Sequence, residues 1–404
     1  MAVSSQSPSV YFNPWDESYR ANPYPHYEPL YYNPPHRMDL FVPMALVARY
    51  ADVTAILRDH ERFSSVAPGS AFLEARKAAF GRAPRLIFSD PPVHTRLRKL
   101  VSKAFTPRRI KDLEGRIREF STTLVERAAR KGEFEVMADL ANPLPVMVIA
   151  EMLGIPPDDY EQFKLWSGQM VEIQNVPLIG AEMPEHVVAA GTALRGYFIE
   201  EIEKRRRNPG NDLISVLVEA RDQTEALTEE ELIITLVLLL LAGNETTTNL
   251  IGNGMLALGR NPNQLTRLRS DPSLMPRAIE EMLRYDCPVQ SLLRFPKIDL
   301  EVGGIEIKAS TYTFVIIAAA NRDPEQFPDP DRFDIAREPN DHLAFSDGIH
   351  YCLGASLARM EGAIAIATAL DRFPRLRLAD PEEPLAYKGS YFLRGLSSLK
   401  MALE

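Results

Sequence analysis

In the stretch AFSDGIHYCLGASLAR, Ala344 to Arg359, Cys352 is one of only two cysteines in the chain and lies between Gly348 and Gly354, two positions after His350. A thiol there could ligate a metal, attack a substrate, bind heme iron axially or fill a small space in the core. Structural zinc needs three or four ligands at characteristic spacings, and His350-x-Cys352 without a second cysteine pair does not supply them. A nucleophilic cysteine needs a histidine base brought from elsewhere in the fold, and no protease-like signature surrounds Cys352. The inert role suits Cys287 in RYDCPVQ but leaves the neighbours of Cys352 unexplained. Those neighbours fit a thiolate bound to heme iron. The glycines let the backbone approach a flat macrocycle and turn amides toward sulfur, and LGASLARMEGAIAIATAL starts a helix whose N-terminal dipole favours a negative thiolate. A thiolate ligand pushes electron density onto iron and favours O–O cleavage.

A second unusual stretch is AGNETTTN, Ala242 to Asn249, which puts a glycine, a carboxylate and three threonines inside an otherwise apolar helical run. A threonine hydroxyl can bond back to the carbonyl four residues earlier and bend the helix, while Gly243 removes a side chain that would fill the gap. The run reads either as a tolerated kink or as a polar notch facing a pocket.

With both stretches in view, Phe345-x-x-Gly348-x-His350-x-Cys352-x-Gly354 resembles the heme-binding signature of the cytochrome P450 family. The resemblance implies Cys352 as the iron ligand, with Phe345 and Gly354 beside it. AGNETT is similar to the family's oxygen-activation motif, which implies that Glu245 and Thr246 deliver protons and that Ala242 and Gly243 lie against the cofactor. Glu281-x-x-Arg284 resembles the ExxR motif, two side chains on one helical face, with Arg332 of DPDRFD as the implied third member. His94 and Arg98, one helical turn apart, together with Arg294 and His350, match positions that hold the heme propionates. Departures exist. Ser346 stands where the family usually has glycine, Phe295-Pro296 follow Arg294 where smaller residues are usual, and KAST (Lys308 to Thr311) lacks the common glycine turn.

These residues must be held by a mainly helical body. Helical periodicity runs from about Pro107 to Tyr285, and the capping-box pattern Thr228-Glu229-Glu230-Glu231 opens an apolar run that continues to Leu258 before Gly259 and Pro262 stop it. Such a helix is about 45 Å long and crosses the whole domain. Alternation in KIDLEVGGIEIKASTYTFVIIAAA predicts a hairpin around Gly303-Gly304 leading into another strand, and LFVPMALVARY predicts a strand near the N-terminus. The expected fold is mainly α with a minor β region, the cytochrome P450 fold, in one continuous domain over 1–404 with residues 1–20 a flexible N-terminal segment. The composition, 45% hydrophobic and 25% charged, is that of a globular chain, and the net charge of −9 argues against nucleic acid as a partner. The longest apolar stretch, Leu232 to Gly243, is too short to span a bilayer, and the N-terminus lacks a signal-peptide pattern. Cytoplasmic location, no membrane and a monomer are the expectations. One segment reverses the charge: Pro91 to Lys111 holds Arg96, Arg98, Lys99, Lys103, Arg108, Arg109 and Lys111 with no acidic residue.

The resemblance implies a heme-thiolate monooxygenase carrying heme b (iron protoporphyrin IX) and inserting one atom of O2 into a small apolar organic substrate by hydroxylation or epoxidation. Terpenoid, steroid, fatty-acid and polyketide substrates all fit. Electrons come, by the same resemblance, from NAD(P)H through a ferredoxin reductase and a ferredoxin as separate proteins, the basic segment being the implied docking face. The implied substrate pocket draws on the segment after Arg62 to Phe88, the region from Gln169 to Val188, Leu238, Leu239 and Ala242, Ser291 with Leu292 and Leu293, and Ser390 to Leu393 with Phe392. A non-catalytic heme-thiolate binding or sensor protein would use the cofactor but not Glu245 and Thr246, and a peroxide-using relative would often lack that pair.

Overall fold

One helix organises the molecule, and it begins where the capping box predicts: the Thr228 side chain accepts from Glu231 N at 3.2 Å, and the Glu231 carboxylate accepts from Thr228 N at 2.8 Å. The structure, a computed structural model, describes residues 10–32, 36–39, 43–68, 81–175, 182–221, 227–388, 390 and 392–403. Numbering the α-helices of nine or more residues, these are α1 (Tyr50–Arg58), α2 (Val93–Ser102), α3 (Glu114–Lys131), α4 (Pro143–Leu153), α5 (Tyr160–Val171), α6 (Glu185–Arg207), α7 (Leu213–Arg221), α8 (Glu229–Arg260), α9 (Pro262–Ser270), α10 (Met275–Tyr285) and α11 (Ala355–Arg372). The central helix is α8, with 32 residues, and it stops where Pro262 opens α9. By length and apolar content it could cross a membrane, but it is a buried core helix here.

The two apolar halves of α8 belong to different cores. Leu232, Leu236 and Leu240 pack with α2, α4, α5, α6 and α7, whereas Leu250, Met255 and Leu258 pack with α1, α3, α10, α11 and the sheet. Each fully buried leucine contributes roughly 1.5–3 kcal/mol. The polar stretch Ala242–Asn249 falls at the seam between the cores, so the break in hydrophobicity along α8 is also a break in the interior of the molecule.

The strands are β1 (His36–Asp39), β2 (Pro43–Val47), β3 (Phe63–Ser64), β4 (Phe134–Glu135), β5 (Leu292–Pro296), β6 (Leu300–Val302), β7 (Ile305–Ile307), β8 (Tyr312–Val315), β9 (Arg377–Leu378) and β10 (Lys400–Ala402). The largest sheet has the order β1-β2-β8-β5-β3, with β2 and β8 parallel. It places Arg294 on β5 between β8 and β3, next to the Phe63–Ser65 segment. The predicted hairpin forms: Leu300, Glu301 and Val302 pair with Ile307, Glu306 and Ile305 across Gly303 (φ 56°) and Gly304 (φ 83°), the positive angles of a two-residue hairpin turn. The N-terminal segment is not loose where it is described. Phe12 and Tyr19 are buried, and the Phe12 ring lies 5.5 Å from that of Phe314 on β8, because two large aromatics cover the sheet face there.

The ExxR pair lies at the centre of a polar knot. Glu281 and Arg284 are both fully buried, with Arg284 Nε and Nη2 donating to the two carboxylate oxygens at 2.8 and 2.9 Å. Carbonyls of Asn321, Pro330 and Arg332 take the remaining donors of Arg284. The expected third member is different. Arg332 sits in a turn, its side chain 64% exposed and 3.6 Å from Asp334, and contributes its carbonyl. Arg337, five residues later, is half-buried and pairs with Glu281 at 3.3 Å while donating to the carbonyls of Pro328, Asp329 and Arg332. The chain doubles back after the turn, so the arginine that reaches the carboxylate is the one on the returning limb.

Ser310, in the KAST turn, holds φ 64° while Thr311 N donates to Lys308 O at 3.2 Å, so a side chain occupies a left-handed position suited to glycine. Two outcomes are expected. Arg337→Ala should lower stability by about 1–2 kcal/mol because it removes one of the bonds to the buried Glu281 carboxylate and those to three carbonyls, whereas Arg332→Ala should cost about 0.5 kcal/mol or less; urea melts of the two variants check this. Ser310→Gly should raise stability by about 0.5–1 kcal/mol through relief of the left-handed backbone, read as a higher melting temperature.

Candidate heme site

The Cys352 loop is closed by a hydrogen bond from Cys352 N to Phe345 O at 2.9 Å, with Ser346 at φ 62° turning the chain between them. Gly348, at φ 66°, passes so close to the end of α1 that a Cβ would lie 2.4 Å from Leu57 O, which anchors the loop to the sheet side of the molecule. Cys352 packs against the core holding the sheet, and its neighbour Leu353 against the other, so the loop straddles the seam. Burial pushes the Cys352 thiol up, and the Gly354 backbone N–H with the charges of Arg98 and Arg359 pull it down.

Four basic side chains gather beside this loop. His94 and Arg98 share one face of α2, Arg294 comes from β5, and the His350 ring lies 4.3 Å from that of His94. His350 Nε2 is 3.0 Å from Ser65 Oγ, and burial, reinforced by Arg294, pushes its imidazole down to about 3, so it is neutral. Arg294 is 7% exposed, donates to the carbonyl of its own neighbour Leu293 at 2.8 Å, and is pushed down to about 10 by burial. His94 Nε2 is buried with no hydrogen-bond partner. Burying cations and donors with so little anionic compensation is costly, which marks a place for carboxylates supplied by a bound group.

Along α8, a helix that is otherwise buried, Leu239, Ala242, Gly243 and Thr246 are accessible, and their spacing puts them on one face. A Cβ on Gly243 or on Gly354 would meet nothing within 4 Å. Thr246 Oγ1 donates to Ala242 O at 2.8 Å, the back-bond its position invites, while α8 continues unbroken. Glu245 is buried, and its carboxyl is pushed up to about 7 by burial, with Lys388, 3.8 Å away, working in the opposite direction. Open space over Gly243 and over Gly354, with basic groups gathered beside the cysteine loop, fits a flat dianionic porphyrin.

Other predicted positions distribute unevenly. Leu239 and Ala242 lie on the accessible stripe, while Leu238 is buried in the core with Leu241. Leu292 and Leu293 are half-buried at the start of β5. Phe392 stacks on Phe314 at 6.3 Å, and Leu393 bridges to Val289. Parts of the pocket segments, residues 69–80, 176–181 and 391, lie outside the described residues. In the basic segment, Arg96 forms an ion pair with Glu231, Arg109 donates to Asn211 O at 2.8 Å, and Lys99, Lys103, Arg108 and Lys111 are exposed.

Several contributors escaped the sequence reading. Arg359 lies over the Phe345 ring at 4.5 Å and grips Glu280 with two bonds of 2.7 Å. Burial opposes the Glu280 charge, yet His342 and Arg359 hold its carboxyl down to about 2. The signal for Arg359 was its place two helical turns beyond Cys352. Ser65 and Lys388 left no local signal, since distant loops bring them in.

The family profile described as Cytochrome P450 matches residues 38–395. The chain is 41% identical to Cytochrome P450 monooxygenase PikC of Streptomyces venezuelae, covering 95% of this chain and 91% of that protein. Among solved structures it is similar to the Bacillus subtilis 168 bacillaene polyketide synthase cytochrome P450 PksS, with TM-score 0.89 and 36% identity over 98% of this chain and 100% of that one. It is also similar to P450BioI in complex with hexadec-9Z-enoic acid ligated acyl carrier protein, with TM-score 0.86 and 36% identity over 96% and 99%. With these likenesses running over nearly its whole length, the chain belongs to the cytochrome P450 family and is a monooxygenase.

Proposed function

We propose that the protein hydroxylates or epoxidises an apolar substrate of the polyketide or fatty-acyl class, with heme b held between Cys352 and the α8 notch. The observation that carries this is the cluster of buried basic groups beside the cysteine loop, with open space over Gly354 and over Gly243. The heme would supply dioxygen activation, its thiolate ligand favouring O–O cleavage. Cys352 Sγ would be the ligand, steadied by the Gly354 N–H, while Arg98, Arg294, His94 and His350 would hold the two propionates. Heme b rather than a covalently attached heme agrees with the absence of a C-x-x-C-H sequence.

Thr246 Oγ1 gives its hydrogen to Ala242 O and keeps its lone pairs toward the accessible face, where it can accept a proton from one neighbour as it passes its own to another. Glu245 is balanced between its two protonation states near neutral pH, which suits a group that collects protons and releases them to Thr246. The apolar positions Leu239, Ala242, Leu292 and Leu293 would exclude water and orient the substrate. The substrate class is supported by the likeness to the bacillaene polyketide synthase P450 PksS and to P450BioI in complex with an acyl-ligated carrier protein.

Electrons would arrive from NAD(P)H through a reductase and a separate ferredoxin, because two isolated cysteines cannot hold an iron–sulfur cluster. The exposed cations Lys99, Lys103, Arg108 and Lys111 would steer that acidic partner.

Cys352→Ala should abolish the thiolate-ligated ferrous–CO spectrum, while Cys287→Ala should leave it intact. Cys287 is fully buried, its thiol bonded to Val289 O at 3.0 Å and pushed up to about 12 by burial. A thiolate spectrum surviving in Cys352→Ala would refute the ligand assignment. Thr246→Ala should keep heme content and reduction but divert electrons to peroxide, lowering product formed per NAD(P)H by roughly 10-fold or more. An unchanged ratio would leave Thr246 as a helix kink without a part in proton delivery.

A further inference from the structure

Glu245 begins a polar row along α8 that continues through Asn249 and Asn253, each one turn further on, and the whole row meets the C-terminal hairpin. Asn253 Nδ2 donates to the carbonyls of Asp286 at 3.1 Å and Arg394 at 3.2 Å. Gly395 lies so near Asn249 that a Cβ would fall 1.8 Å from Asn249 Oδ1, so the hairpin can seat at this depth only with glycine there. Across the hairpin, Lys388 N donates to Gly395 O at 3.0 Å, and Tyr387 bridges to Leu396. These contacts fix the register of the hairpin on the helix. Lys388 Nζ thereby lies 3.8 Å from Glu245 Oε1, with the carboxylate side chain 7% exposed and the lysine side chain 34% exposed. Lys388 also lines a surface cavity with Arg20, Gln290, Ser291 and Ser390.

We propose that Lys388 is a positioning residue for Glu245, holding the buried carboxylate toward the hairpin and joining it to solvent, so that protons enter the α8 notch from the Lys388 side. This inference rests on the reading of Glu245 as a proton carrier. Among the described residues, Lys388 is the charged group that acts on the Glu245 carboxyl. Arg394, on the same hairpin, is committed to Asp286 at 2.9 Å, and Asn249 and Asn253 are uncharged. Burial pushes the Glu245 carboxyl up from its ordinary range, and an ammonium at this distance offsets part of that penalty. The hairpin is therefore a device for keeping the acid exchangeable near neutral pH.

The test is an infrared difference titration of the heme-loaded ferric protein, which needs no substrate. Glu245→Gln identifies the protonated-carboxyl band of Glu245 by its loss. Lys388→Met should move the midpoint of that band upward by about one pH unit, because the favourable charge is gone and the neutral acid persists to higher pH. Lys388→Arg should restore it. A midpoint unchanged in Lys388→Met overturns the proposal. In turnover, the inflection in product formed per NAD(P)H against pH should move upward in Lys388→Met and return in Lys388→Arg. If Glu245→Gln slows turnover yet Lys388→Met leaves the inflection in place, the positioning role is wrong and the reading of Glu245 stands. If Glu245→Gln leaves turnover unchanged, that reading falls and the proton path falls with it, while the infrared midpoints still report whether the pair exists.

Discussion

A thiol shut away from water keeps its proton, and the ligand role proposed for Cys352 requires that proton lost. Much of the architecture around the site reads as compensation for this opposition. The Gly354 N–H is aimed at the sulfur because α11 begins there, and Arg98 and Arg359 approach from two different helices. Arg359 can stand near a buried thiol without collapsing onto it because Glu280 holds its guanidinium from the other side, itself kept charged by His342. The same logic governs the opposite margin. Arg294 and His94 are buried with fewer partners than their chemistry asks for, and the deficit is useful only if something anionic completes it.

The protein reconciles that charge with a large apolar interior by dividing the interior. Had α8 been hydrophobic throughout, the two cores would have merged and filled the open space over Gly243 with side chains. A stretch dominated by glycine, asparagine and threonine prevents this, and the helix survives it because its flanks are firmly buried and its N-terminus is capped. Local weakness is tolerated where it opens space and offset where it would fray.

What was legible in the sequence was what is encoded locally. The capping box, the Thr246 back-bond, the Gly303-Gly304 turn and the helical spacing of His94 and Arg98 each depend on residues a few positions apart, and each has the form the pattern implies. The misreadings have a common cause. Arg332 and Arg337 are both arginines near one motif, and only the path of the chain through the Asp329 turn decides which one faces Glu281. Phe12 and Tyr19 sit in a polar, proline-rich segment whose burial depends on a sheet formed almost three hundred residues later. Lys388 reaches Glu245 through a hairpin register set by one glycine contact, which no periodicity announces.

The divided interior also bears on how such a protein can change over generations. The core containing the sheet, α10 and α11 carries Cys352, Arg294 and the Glu281 knot, whereas the other is built from α2 and α4 to α7, with the first half of α8. Substitutions in separate cores share few neighbours, so their energetic effects should largely add rather than compound. Helices α5 to α7, which carry none of the residues proposed to hold the cofactor, can therefore drift in shape and size with less effect on the cysteine loop than α2. A lineage is free to explore new binding cavities while its oxidative chemistry stays under constant selection, a form of evolvability written into where one helix ceases to be greasy.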